Sequence, residues 1–136
     1  MKISSIIIHI FNFLSMYEFI TGKITEITPT YLIIENSGIG YFVNISLGTF
    51  SKLNEKHECR LYLHQVIRED ANILYGFYEK LERETFRYLI SVSGIGANTA
   101  RMMLSSLSPD EIKTAILQND IHTLKSIKGI WAKSAQ

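Results

Sequence analysis

Residues 92–101 read Val-Ser-Gly-Ile-Gly-Ala-Asn-Thr-Ala-Arg, and residues 127–136 read Ile-Lys-Gly-Ile-Trp-Ala-Lys-Ser-Ala-Gln. Both carry Gly-Ile, a variable pair, a polar residue and then Ser/Thr-Ala, with Gly94 and Gly129 set 35 residues apart. Each copy follows an apolar stretch of helical spacing, and the first opens a further one. This is the pattern of a helix–hairpin–helix, here in tandem. A glycine loop turns tightly and lets backbone amides come close to a ligand. The helix that starts next has unpaired first amides and the positive end of its dipole. A phosphate is favoured at that place, and such a contact holds backbone without reading bases. One loop holds one run of phosphates, whereas two related loops suit both strands of a duplex. The plainer alternative is a pair of tight turns between packed helices.

Working outward from these loops, the helical period begins near Glu79. Leu81, Thr85, Phe86, Leu89 and Ile90 fall on one helical face. Residues 97–107 continue as helix. Ser108-Pro109-Asp110-Glu111 predicts a capping box, with Ser108 at the cap, Pro109 at the first helical position and Glu111 three residues after the cap. Ile112, Ala115 and Ile116 give that helix an apolar face. Asn119 or Asp120 then caps a short helix carrying Ile121, Leu124 and Ile127.

Upstream of Phe77 the period is two. Tyr41, Val43, Ile45 and Leu47 alternate with Phe42, Asn44 and Ser46, and Ser37-Gly38-Ile39-Gly40 forms a turn before them. Phe19–Ile27, Tyr31–Glu35, Arg60–Ile67 and Ile73–Phe77 complete five strands, with no helix of useful length among them. Five short strands fit a small closed barrel of the OB type. The predicted fold is therefore α+β, a five-stranded OB-type β-barrel followed by an all-α tandem helix–hairpin–helix. The expected domains are 16–78 and 79–136, preceded by an atypical apolar extension over 1–15.

The hydrophobic content of 46% is enough for a packed core and argues against disorder. The net charge of +1 gives no global sign of a nucleic-acid partner, but its distribution does. Six basic residues meet eight acidic ones across residues 1–79, whereas six meet three across residues 86–136. The basic excess lies with the hairpins. Cys59 is the one cysteine, which excludes an intrachain disulfide, and it sits in a strand-like run beside Leu61 and Leu63. His9, His57, His64 and His122 are scattered without metal-ligand spacing. No nucleophile–base pair and no Gly-x-x-x-x-Gly-Lys-Ser/Thr loop is present, so neither catalytic residues nor a cofactor are expected. A generic single-strand binder would instead use Tyr31, Tyr41, Phe42, Tyr62, Tyr75 and Phe77 as stacking surfaces.

From Met16 to Gln136 the chain resembles the RuvA family. The resemblance rests on Arg68-Glu-Asp-Ala-Asn-Ile-Leu-Tyr-Gly-Phe77, on Glu82-Arg83-Glu84 and Phe86, on Gly38-Ile39-Gly40-Tyr41 and on Ser93-Gly94-Ile95-Gly96. It implies a homotetramer that binds four-way (Holliday) junction DNA without catalytic residues of its own. It further implies the ATP-driven motor RuvB and, beside it, RuvC as partners, a role in recombination and repair, a cytoplasmic setting and no membrane. Glu69 and Asp70 then match an acidic pin that projects toward the junction centre. Backbone amides of Ile95, Gly96 and Asn98, and those around Gly94, Gly129, Ile130 and Lys133, are expected at phosphates. Lys133 and Arg101 would add charge.

The chain departs from that pattern in three places. Trp131 replaces the second glycine of the second hairpin, and Asn98 stands where Lys is usual. The sequence given ends at Gln136, so the helix after the second hairpin and a motor-contacting third domain lie outside it; a truncated or fragmentary chain with lost motor coupling is the expectation. Residues 1–15 combine Lys2 with an apolar run over Ile3–Leu14, and Met16 is read as the functional start.

Overall fold

The computed structural model describes residues 16–118. Five strands, β1 (Phe19–Ile27), β2 (Tyr31–Asn36), β3 (Ile39–Ile45), β4 (Glu58–Arg68) and β5 (Ala71–Phe77), close into a barrel in the order β1-β2-β3-β5-β4. All neighbours are antiparallel except β3 and β5. The β2–β3 hairpin turns on Ser37 and Gly38, both at positive φ, the twist a two-residue loop needs. The register of β1 on β2 slips between Ile24 and Glu26, a bulge that bends β1 around the barrel.

Alternation decides what faces inward. Leu32, Ile34, Val43, Ile45, Leu61 and Leu63 fill the barrel, joined by Leu53. Each such burial contributes about 1.5–3 kcal/mol. Leu53 comes from α1 (Leu47–Leu53), a helix between β3 and β4 that the sequence reading did not foresee. At seven residues it is too short for a 3.6-residue period to register. Ser46 makes it possible, its hydroxyl accepting from the Thr49 amide at 3.1 Å.

Three helices follow: α2 (Lys80–Ser91), α3 (Ala97–Ser106) and α4 (Pro109–Leu117). Strand β5 is a wall shared by barrel and helices. Its Leu74 packs toward the barrel core, whereas Tyr75 and Phe77 form a second core with Phe86, Leu89, Ile95, Met103 and Ile112. The capping box at α4 forms as read, with Ser108 N to Glu111 Oε2 at 2.8 Å and Glu111 N to Ser108 Oγ at 3.2 Å.

The inner face of α2 differs from the apolar face read from the sequence. Leu81 is exposed, and Arg83 and Arg87 are buried instead. Arg83 pairs with Glu18 Oε1 at 2.6 Å and Glu84 Oε1 at 2.9 Å, and it donates to the Glu18 carbonyl at 2.8 Å. The bond from Arg83 Nη2 to the Glu18 side-chain Oε1 is the main reason the Glu18 carboxyl titrates below its usual range. Arg87 donates to the Leu63 carbonyl at 3.3 Å. The two guanidiniums thus tie α2 to Glu18, just ahead of β1, and to Leu63 of β4. A buried carboxylate, Glu82, ties the same helix to α1: Ser46 Oγ and Thr49 Oγ1 both donate to its Oε1, the latter at 3.1 Å. The second hairpin, the helix expected after Asn119 and the apolar extension lie outside the described residues.

Candidate nucleic-acid interface

The loop between α2 and α3 is built by one turn. The Ile95 amide donates to the Val92 carbonyl at 3.1 Å, and Gly94 occupies the third position with φ +87°. A positive φ there is the mark of a type II turn and favours glycine. Ile95 is buried in the helical core, which fixes the loop to the scaffold. The expectation for Ile95 therefore needs correction, because its amide closes the turn and does not face outward.

Gly96 is different. Its φ of −83° and ψ of 169° suit any residue, and a Cβ built there meets nothing within 4 Å. Among the described residues nothing calls for glycine at this position. It is the N-cap of α3, and no side chain caps that helix. The first amides of the ten-residue α3, Asn98 among them, carry the partial positive charge of the helix start. An exposed, uncapped start behind a residue with no side chain is a place where an anion can come close.

Asn98 Oδ1 accepts from Arg101 Nη2 at 2.9 Å and Nε at 3.2 Å. The same guanidinium donates to the Ile45 carbonyl at 3.2 Å. Arg101 is half-buried and holds α3 against the barrel, a role the sequence gave no sign of. One turn further along the same face of α3, Ser105 Oγ accepts from the Leu47 amide at 3.0 Å. Gly129, Ile130 and Lys133 fall outside the described residues.

Glu69 and Asp70 form the two-residue turn between β4 and β5, and both are exposed. The register shows how far this turn stands out. Strand β1 leaves β4 after Phe19↔Tyr62, with a last amide link from Leu63 to the Glu18 carbonyl. Strand β3 meets β5 only from Val43↔Leu74 onward. Past these points β4 and β5 pair with each other alone, out to Arg68↔Ala71. From Leu74 to Asp70 that is a rise of roughly 13 Å beyond the barrel rim. Val66 and Ile73 pack one face of this ribbon on the helical core, and Gln65 Nε2 donates to Asn72 Oδ1 at 3.0 Å on the other. The acidic tip is held on a supported stalk.

The aromatic residues divide clearly. Tyr75 and Phe77 are buried, while Tyr31 stacks on the exposed Phe42 with ring centres 4.6 Å apart. The Tyr31 hydroxyl donates to Glu26 at 2.9 Å, so an acid sits at that stack. Cys59 is half-buried in β4, and burial pushes its thiol up to about 11 despite Lys56 nearby, which makes it a poor nucleophile. Among the described residues no group of three or more His, Cys, Asp or Glu could hold a metal ion. No described helix is long and apolar enough to cross a membrane.

Residues 16–76 match the family described as RuvA N terminal domain, and residues 86–136 match the SAM-like helix-hairpin-helix tandem. Over most of its length the chain is similar to RuvA subunits. A protein of Christiangramia forsetii named Holliday junction branch migration complex subunit RuvA is 53% identical over 121 residues, covering 89% of this chain and 63% of that protein. A RuvA subunit of Bacteroides fragilis is likewise 53% identical over 121 residues, covering 89% of this chain and 60% of the relative. One of Porphyromonas gingivalis is 47% identical over the same length. The chain spans about three fifths of the length of these curated RuvA relatives, which reach coverages of 60–63%. The barrel thus lies in the stretch that matches the RuvA N-terminal domain, and the uncapped start of α3 in the stretch that matches the helix-hairpin-helix tandem.

Proposed function

We propose that this chain binds four-way DNA junctions as the non-catalytic subunit of a branch migration complex in recombination and repair. The observation that carries this reading is Gly96, an N-cap glycine with open space around it and, among the described residues, no neighbour that requires it to lack a side chain. A DNA phosphate approaching α3 supplies that requirement. The amides of Gly96 and Asn98 hold it, Gly94 shapes the turn, and Asn98 is fixed by Arg101. Gly129, Ile130 and Lys133 repeat the pattern for the second strand.

Glu69 and Asp70 serve as the pin. Two carboxylates among converging phosphates repel them, by about 1 kcal/mol at 4 Å in water and several times more at a dry interface. Repulsion at the centre combined with anion binding at the flanks favours an open crossing over a straight duplex. A homotetramer places four such pins around one crossing. The RuvB motor supplies ATP hydrolysis, RuvC joins as a further partner, and the assembly works in the cytoplasm.

The test is fluorescence anisotropy of the full chain on a synthetic four-way junction and on a linear duplex of the same arm sequence, at several salt concentrations. The junction is expected to bind at least tenfold more tightly, and both affinities should fall steeply with salt. Equal affinity for the two DNAs at every salt concentration overturns the reading.

A further inference from the structure

We propose that the pin end of the barrel is a receiving site for unpaired nucleobases, an inference that rests on the junction-binding reading above. The start of β1, the end of β2, the start of β3, the end of β4 and the start of β5 all lie at this end, as their registers require. Here the barrel opens into a cavity of about 310 Å³ lined chiefly by Tyr17, Phe19, Ile20, Asn36, Tyr41 and Leu74. Large apolar residues are left exposed at this end of the barrel, Met16 at 73%, Ile39 at 57% and Ile67 at 71%. Ile67 lies on the same ribbon face as Leu63 and Leu74, beyond the Gln65–Asn72 pair and nearer to Glu69, so it sets an exposed apolar side chain on the stalk above the mouth.

The chemistry of the mouth selects its occupant. It offers aromatic rings and aliphatic surface, with one amide at the edge. Asn36 Nδ2 donates to the Thr21 carbonyl at 2.7 Å, which orients the amide and leaves its carbonyl oxygen to accept from an amino group. A flat ring with apolar faces and a polar edge fits this lining. Glu69 and Asp70 at the tip of the overhanging ribbon keep phosphate away from the opening, so the base enters while its backbone stays outside. A branched apolar side chain placed against a base step also parts stacked bases, as side chains of this kind do elsewhere. The carboxylates thus part the strands, Ile67 keeps the freed bases from restacking, and the mouth holds one of them.

The experiment is photocrosslinking of the full chain to a four-way junction carrying 5-iodouracil at the crossover, with the same base placed deep in an arm as control. Peptide mapping is expected to find the crossover probe attached at Tyr17, Phe19 or Tyr41, and the arm probe not. Ile67→Ser should lower that yield at least threefold, whereas Ile67→Leu, which keeps a branched apolar side chain, should preserve it. Junction-selective binding without crosslinks at these rings overturns the base site and leaves the junction reading standing. Equal binding of junction and linear duplex overturns both. Crosslinking unchanged by Ile67→Ser removes Ile67 from the site. A second copy of the chain as the occupant would show itself in sedimentation: Tyr17→Ala would then dissociate the assembly in the absence of DNA, which also overturns the proposal.

Discussion

Arg87 Nε donates to His64 Nδ1 across 3.2 Å, and both side chains are buried where α2 crosses β4. An imidazole that accepts at Nδ1 is neutral, with its proton on Nε2. Burial, and then the charges of Arg87 and Arg83, hold His64 down at about 4. The unfolded chain takes up a proton near pH 6.5, well before the folded one does. Stability from this pair is therefore complete above about pH 6.5 and is lost as pH falls toward 4, by a total of order 3 kcal/mol. Urea unfolding of the full chain at pH 7.0, 6.0 and 5.0 should show the decline. His64→Gln, which keeps an acceptor and does not titrate, should flatten it.

Glu82 works in the opposite direction. Burial raises its carboxyl above the ordinary range, while the hydroxyls of Ser46 and Thr49 partly offset this. The folded state thus favours the protonated acid, and stability from this source falls as pH rises through the folded value. Removing the acceptor altogether strands two buried hydroxyls. Glu82→Ala is expected to cost roughly 2–3 kcal/mol at pH 7. Glu82→Gln keeps a carbonyl for Ser46 and Thr49 and should cost less than half of that, measured by the same urea titrations.

Neutralising the pin should raise affinity. In the pair Glu69→Gln with Asp70→Asn, repulsion of about 1 kcal/mol or more disappears, so linear duplex is expected to bind at least fivefold more tightly. The junction gains less, because its open centre already sets phosphates apart, and the preference for it narrows. Thermal unfolding should not move, since both residues are exposed turn positions. An unchanged junction-to-duplex ratio would mean that the carboxylates take no part in selection.

Much of this was legible in the chain because local signals agreed with the fold. Period-two stretches became the five strands, and Ser108 with Glu111 formed the box their spacing called for. The hidden parts depend on contacts far apart in sequence. No local pattern marks Arg83 and Arg87 for burial, yet Glu18, Leu63, His64 and Glu84 give them buried partners. Arg101 is expected from the sequence to add charge beside a phosphate loop, and its bond to the Ile45 carbonyl, 56 positions away, has no local signal. The amide of Ile95 could not be assigned from sequence either, because the same Gly-Ile-Gly allows the turn bond to form or not. The height of the pin was equally invisible, since it follows from where β1 and β3 stop pairing.

The direct measurement is junction affinity of Gly96→Ala. The backbone at this position accepts alanine, and its methyl group points into open space. The fold should lose no more than the roughly 1 kcal/mol that alanine costs at a helix cap. A phosphate resting on the α3 amides would be pushed away by that methyl group. Junction affinity is expected to fall at least tenfold while thermal unfolding shifts only slightly. Binding as tight as that of the unaltered chain would contradict the claim that this helix start holds DNA.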